Sequence, residues 1–123
     1  MFNLINELIE NKVDDANLDF YTVIIGSQPS KGARSPSLWN KVYKHENKNI
    51  KMVPLDVKNS NLEVLFQTLK EDHNCLGGAI AVPYKEKIFN LISENCSEET
   101  IRIGAINCFY RSNAISNNDF WGT

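Results

Sequence analysis

Hydrophobic residues recur along this chain in two spacings, one typical of strands and one typical of helices. Residues 20–25 form a nearly unbroken apolar run, which suits a strand covered on both faces. Leu62, Leu65, Phe66 and Leu69 recur instead at helical spacing, which predicts a helix over 62–69 with one apolar face. The same patterns elsewhere predict strands over 50–57, 76–82 and 105–110, and helices over 1–12, from Ser35 onward, over 84–92 and over 98–102.

The order of these elements predicts an α/β fold. Strands and helices alternate, so successive strands are expected to lie parallel in one sheet. We therefore predict three layers: an open, mostly parallel, twisted sheet with helices on both faces. Residues 27–34, rich in Gly, Ser, Pro and charge, are predicted to form a loop, and residues 112–123 a turn followed by the start of another segment.

Composition limits the class of protein and of partner. The chain has 123 residues and a mass of 14.0 kDa, 42% of its residues are hydrophobic, and 13 basic against 15 acidic side chains leave a net charge of −2. These values indicate one ordinary domain and exclude disordered, collagen-like and coiled-coil classes. The small negative charge disfavours nucleic acid or an anionic membrane, so a small molecule or a protein is the expected partner. The oligomeric state stays open.

Signals for targeting, disulfides and metals are sparse. No apolar run approaches the roughly 18 residues of a membrane span, and the N-terminus lacks the basic start and apolar core of a secretory signal. Cys75, Cys96 and Cys108 form neither a C-x-x-C pair nor a Cys/His cluster at zinc spacing. We expect a cytoplasmic protein without a bound metal, in which the cysteines are reduced packing residues.

Ser35 is the first residue that suggests chemistry. It precedes Pro36 at a predicted helix start, where a hydroxyl and free backbone N–H groups favour a carboxylate or phosphate. The position follows a strand, where open α/β sheets usually bind ligands. The alternative is a serine that only caps the helix.

Lys85 is the second candidate. It follows Val82-Pro83 in the first turn of a predicted helix, where the positive end of the helix dipole disfavours a cation. A lysine kept at such a position suits general acid–base catalysis. The alternative is a solvated lysine paired with Glu86 or Glu98.

Asn107 is the third candidate, because it stands inside the apolar run 105–109. A buried amide there must find partners in the protein or in a ligand, and a structural amide is the alternative. His45 and His73 lie in polar stretches and are interpreted as surface residues. No G-x-G-x-x-G or P-loop occurs, so these residues carry no recognisable nucleotide phosphate loop.

Three segments, in this order, carry a resemblance to a known family. They are VIIG (23–26) with its loop into RSPS (34–37), AVPYKE (81–86) and GAIN (104–107). The set resembles the N-terminal, substrate-binding domain of the shikimate dehydrogenase family over essentially the whole chain. The resemblance implies an NADP-dependent oxidoreductase of aromatic amino acid biosynthesis that interconverts 3-dehydroshikimate and shikimate or a related cyclic hydroxy acid.

The resemblance also assigns roles to the three candidates. Ser35 matches the second serine of a Ser-x-Ser-Pro motif that binds the substrate carboxylate, and Asn107 matches a substrate-binding amide. Lys85 matches the catalytic lysine that exchanges a proton with the reacting oxygen. In the family, NADP is bound by a following Rossmann domain, which is absent from residues 1–123, so this chain alone is expected to hold no cofactor and to be inactive.

Three alanines depart from the family pattern. Ala33, Ala79 and Ala81 stand where the family carries a serine, an asparagine and a threonine, so two hydroxyls and an amide are missing. Arg34 or Lys31 is a hypothetical replacement contact for a carboxylate. The alanines motivate an alternative function, a non-catalytic small-acid-binding module without a redox half. A protein-interaction domain is a third possibility.

Overall fold

A five-stranded sheet runs through the structure, a computed structural model that describes residues 2–14, 17–111 and 119–123. The strand order is β2-β1-β3-β4-β5. β1 pairs in parallel with β2 and β3, whereas β4 is antiparallel to both β3 and β5. The strands are β1 (Phe20–Gly26), β2 (Ile50–Asp56), β3 (Cys75–Ile80), β4 (Cys108–Arg111) and β5 (Phe120–Gly122).

Six helices and one 3₁₀ turn surround the sheet in the described part of the chain. They are α1 (Asn3–Leu8), α2 (Pro29–Gly32), α3 (Ser35–His45), α4 (Asn59–Glu71), α5 (Lys85–Ile92), the 3₁₀ turn Ser93–Asn95 and α6 (Glu98–Ile103). The α/β class is therefore confirmed, with four strands running one way and β4 the other way. β4 is reversed because two helices, α5 and α6, separate it from β3 and return the chain to the edge at which β3 ends: Ile106 N donates to Lys85 O at 3.1 Å.

Several predicted boundaries were wrong. The helix over 1–12 ends early at Leu8, and the predicted loop 27–34 contains α2. The strand expected over 105–110 begins only at Cys108. Most of the predicted turn in 112–123 lies outside the described residues, and the segment expected to follow it is β5.

The main core lies on one face of the sheet, between the strands and α1, α4 and α5. Tyr21, Val23 and Ile25 of β1 belong to it, in the alternation expected of a strand. The helix face predicted for α4 is confirmed, because its four apolar residues are buried. Three phenylalanines from α4, β4 and β5 meet there with ring centroids 4.8 to 5.4 Å apart, namely Phe66, Phe109 and Phe120.

The second face of the sheet is covered less completely. α3 packs on β2 and β1, with Tyr43 Oη 3.3 Å from Thr22 Oγ1. None of the residues of α3 is fully buried, and Trp39 is 49% exposed. Beyond α3, a groove of about 330 Å³ runs over β3 and β4, and its lining includes Trp39 and Tyr110.

The three cysteines occupy different environments, and all are free thiols. Cys75 is a core residue, and burial raises the pKa of its thiol to about 12. Cys96 is half-buried, and burial likewise raises the pKa of its thiol. Cys108 is exposed, so the expectation that all three are packing residues was wrong for it. Within the described ranges, no helix is long and apolar enough to cross a membrane.

The outer edge of β2 is closed by two asparagine side chains. Asn40 Oδ1 accepts from Met52 N at 2.7 Å, and Asn40 Nδ2 donates to Met52 O at 3.2 Å. Asn11 Nδ2 donates to Pro54 O at 2.9 Å, and Asn11 Oδ1 accepts from Asp56 N at 2.8 Å. The edge of a sheet normally presents such groups unpaired. Here they are bonded within the chain.

We predict that Asn40→Ala lowers the free energy of unfolding by about 1 to 3 kcal/mol, because both main-chain groups of Met52 lose their partner. Asn90→Ala is the matched control, since Asn90 is an exposed residue within α5 and gains the same helix propensity. Urea unfolding monitored by circular dichroism measures both variants. Equal stability of the two would show that the Asn40 amide contributes nothing to the edge.

Candidate functional site

The segments that follow β1 and β3 meet at the edge of the sheet formed by the carboxyl ends of its parallel strands. Ala81 N donates to Ile25 O at 2.7 Å, and Ser27 N donates to Val82 O at 3.3 Å. The chain that leads into β4 reaches the same edge, because Ile80 N donates to Asn107 O at 2.7 Å. This is the edge at which α/β sheets usually bind ligands.

Gly26 lets these segments approach closely. A Cβ atom on this residue would lie 2.9 Å from Ala81 Cβ and 3.2 Å from Val82 O. Beside it is a depression of about 350 Å³, lined by Ser27, Gln28, Pro29, Gly32, Ala33, Ala81 and Val82. None of these side chains is ionisable.

Ser35 lies on the loop side of this depression, two residues after Ala33. The helix begins at Ser35, as the sequence predicted: Leu38 N donates to Arg34 O at 3.2 Å, so Arg34 is the N-cap and Ser35 the first helical residue. No side chain caps α3. The alternative of Ser35 as a helix cap was therefore wrong, and its half-buried hydroxyl is not engaged in capping.

Lys85 is the first residue of α5. The sequence predicted that this helix begins at residue 84, one residue earlier. Lys85 is half-buried, and among the described residues its ammonium has neither a hydrogen-bond nor an ion-pair partner. The alternative in which Glu86 or Glu98 pairs with Lys85 was therefore wrong. Lys87, two residues further on, is instead bonded to Asn59 Oδ1.

Tyr84 holds the turn that carries Lys85, a role that the AVPYKE segment did not predict for it. Its side chain is buried, and its hydroxyl donates to Val57 O at 2.7 Å. Burial raises the pKa of this hydroxyl above its ordinary value, so it stays protonated and remains a donor. The peptide bond between Val82 and Pro83, just before it, is cis.

Asn107 differs from the prediction. It precedes β4 instead of lying within it, and its side chain is exposed, so the expectation of a buried amide was wrong. The buried residues of this segment are Ile106 and Phe109, which places Asn107 on the open side. Its main-chain N–H donates to Thr123 O at 3.0 Å, while its amide has no hydrogen-bond partner among the described residues.

The topology thus brings Ser35, Lys85 and Asn107 to one edge of the sheet. None of the three lines the depression beside Gly26, which is formed by the residues just before Ser35 and Lys85. Of the alanines that replace polar family residues, Ala33 and Ala81 line this depression, whereas Ala79 lines the groove on the second face. A second depression of about 570 Å³ lies at the same edge, between Ser27, Lys58 and Tyr84.

Lys31 and Arg34, the proposed replacement contacts, are exposed on the same loop. Lys31 is in α2, and Arg34 directly precedes α3. Within the described residues, no group of three or more His, Cys, Asp or Glu side chains is placed to hold a metal ion. The candidate side chains Ser35, Asn107, Lys85 and Arg34 offer a hydroxyl, an amide, an ammonium and a guanidinium group, which suit an organic acid.

Fold and site together define an α/β domain that presents polar side chains at the carboxyl ends of its parallel strands. The family model of the shikimate dehydrogenase substrate binding domain matches residues 24–109, which is most of the chain. The chain therefore belongs to the shikimate dehydrogenase substrate-binding domain family.

Curated relatives agree with this membership. The chain is 37% identical over 86 residues to shikimate dehydrogenase (NADP(+)) of Carboxydothermus hydrogenoformans, covering 70% of this chain and 30% of the relative. It is 32% identical over 103 residues to the enzyme of the same name from Prochlorococcus marinus, a match that covers 84% of this chain and 34% of the relative. The chain thus spans about a third of the length of these relatives. They give no support to the alternative of a non-catalytic module.

Solved structures share the fold. Shikimate dehydrogenase from Aquifex aeolicus superposes with a TM-score of 0.71 at 24% identity, over 89% of this chain and 38% of the other. Shikimate dehydrogenase 1 from Peptoclostridium difficile superposes with a TM-score of 0.72 at 23% identity, over 85% of this chain and 37% of the other. The predicted architecture of the family's N-terminal domain is thereby confirmed.

We predict that Gly26→Ala lowers the free energy of unfolding by about 1 to 3 kcal/mol, because the added methyl group overlaps Ala81 and crowds Val82 O. Gly32→Ala is the control, since nothing lies within 4 Å of the position that its added methyl group would take and the change stiffens the unfolded chain. Chemical denaturation measures both.

The double variant Gly26→Ala/Ala81→Gly removes the closest of the overlaps, so it is expected to recover part of the lost stability. If Gly26→Ala were as stable as the unchanged chain, the close approach at this edge would be wrong.

Proposed function

We propose that residues 1–123 form the substrate-binding domain of an NADP-dependent shikimate dehydrogenase, with a cyclic hydroxy acid as the small-molecule ligand. The observation that carries the proposal is the family match over 24–109, which includes the segments of Ser35, Lys85 and Asn107. The corresponding pathway is aromatic amino acid biosynthesis. Neither nucleic acid nor a membrane is part of this function.

In this proposal each of the three side chains has a different role in binding or catalysis. Ser35 donates a hydrogen bond from its hydroxyl to the ligand carboxylate, and Asn107 orients the ring through its amide. Lys85 as a neutral amine accepts the proton of the ring hydroxyl in the oxidation, and as an ammonium returns it to the carbonyl oxygen in the reduction. Among the described residues, neither the Lys85 ammonium nor the Asn107 amide has a bonding partner. This supports a catalytic role for Lys85 and a ligand-orienting role for Asn107.

The cofactor, when bound, would supply the hydride to the reacting carbon as NADPH and would accept it as NADP⁺. The 123 residues contain no glycine-rich dinucleotide loop, so we propose that the cofactor is held by residues outside this sequence. The free cysteines suit a reducing compartment, which supports the proposal of a cytoplasmic protein.

We predict that Lys85→Ala, made in the complete protein that carries these residues, lowers turnover of shikimate with NADP by about 10²- to 10⁴-fold, the usual contribution of a general acid–base group. Lys87→Ala is the matched control, because Lys87 stands on the same helix but is bonded to Asn59. The steady-state rate of NADPH formation, followed by absorbance, measures turnover. An unchanged turnover in Lys85→Ala would remove Lys85 from the chemistry.

We also predict that Ala33→Ser strengthens shikimate binding, because it returns a hydroxyl to the lining of the depression. One added hydrogen bond of about 1 kcal/mol corresponds to a gain of roughly fivefold in affinity. Ala79→Ser is the control, since Ala79 lines the groove on the second face. NMR titration of the 123-residue chain with shikimate measures both. Equal affinities in both variants would place the ligand away from Ala33.

A further inference from the structure

Asp56 carries a buried carboxylate that no role described above uses. It ends β2 and is only 4% exposed, and it is the one acidic residue among the buried side chains of the described part of the chain. Isolating a carboxylate from water is costly unless hydrogen bonds replace the lost hydration. The partners of this carboxylate therefore show what its burial achieves.

Both oxygens of the Asp56 carboxylate are directed at Ser30 in α2. Oδ1 accepts from Ser30 N at 2.8 Å, and Oδ2 accepts from Ser30 Oγ in a short contact. Ser30 itself is exposed and stands five residues before Ser35. A two-point bond to a charged acceptor is stronger and more directional than a single neutral one. It fixes the position of α2 relative to the sheet.

The main chain of Asp56 is equally well fixed. Its N–H donates to Asn11 Oδ1 at 2.8 Å, and its carbonyl accepts from Glu10 N at 2.7 Å. The next residue ties the end of β2 to β1, because Val57 N donates to Gly26 O at 3.0 Å. The carboxylate therefore projects from an anchored position, and the loop is the part that it restrains.

We infer that Asp56 is a positioning residue, which acts through Ser30 to hold the loop 27–34 and the start of α3 in the geometry that binds the carboxylate of the ligand. This inference rests on the function proposed above. Pro29 and Gly32 of α2, and Ala33 directly after it, line the depression, so a displaced α2 alters the lining. Small displacements of positioning groups weaken ligand contacts strongly.

The test compares variants of the 123-residue chain by NMR titration with shikimate. Asp56→Ala removes both acceptors, so the affinity is expected to fall about tenfold or more. Asp56→Asn still accepts from Ser30 N through its oxygen and donates to Ser30 Oγ through its amide, so it is expected to stay within about threefold of the unchanged chain. Ser30→Ala, which keeps one of the two bonds, falls between them.

Asp72→Ala is the matched control. The Asp72 carboxylate also accepts from a hydroxyl and a main-chain N–H, those of Tyr21 and Asn74, but it lies at the opposite edge of the sheet. It is expected to lower stability without changing the affinity for shikimate. A purely structural role of Asp56 predicts the same behaviour for Asp56→Ala, and an unchanged affinity in folded Asp56→Ala therefore overturns the inference.

Two further outcomes are decisive. If Asp56→Ala does not fold, Ser30→Ala decides, because Ser30 is exposed: an unchanged affinity in this variant overturns the inference. If the unchanged chain itself does not bind shikimate, the proposed function fails. The amide resonances of residues 31–35 in Asp56→Ala, compared with those in Asp56→Asn, then decide whether Asp56 holds the loop. Resonances displaced in Asp56→Ala but not in Asp56→Asn support a loop held by Asp56, and resonances unchanged in Asp56→Ala overturn it.

Discussion

The close approach of the main chain at Gly26 is the constraint on which the candidate site depends. Its carbonyl accepts from Val57 N, and the next residue donates from Ser27 N to Val82 O. Because no side chain separates these segments, the ends of β1, β2 and β3 converge in a small volume. The depression, the turn before α5 and the loop before α3 are therefore parts of one packing unit.

Much of this arrangement is readable from the sequence, because short-range patterns determine it. The periodicity of α4 and the apolar run of β1 predicted their buried faces, and the ordered segments around Ser35, Lys85 and Asn107 indicated the family. The order of strands and helices was enough to bring the three residues to one edge, because parallel strands end together.

The errors arose where a side chain depends on partners that are distant in sequence. Asn107 was expected to be buried because its neighbours are apolar. The strand begins only at Cys108, just after Asn107, and leaves it exposed. The sequence contained no sign of a role for Asp56 and showed Tyr84 only as part of the AVPYKE segment, since their bonds to Ser30 and to Val57 O form only once the chain has folded. Local spacing carries no information on such contacts.

The amides of Asn11 and Asn40 protect the β2 margin of the sheet from pairing with an added strand. A strand donated by another segment or another molecule must find a row of unpaired main-chain groups. On the β2 side those groups are already occupied. On the opposite margin, beside β5, Asn95 Nδ2 donates to Phe120 O at 2.9 Å and Cys96 forms a parallel bridge with Gly122. A strand from another molecule therefore meets bonded groups at both margins of the described sheet, which disfavours association by strand addition.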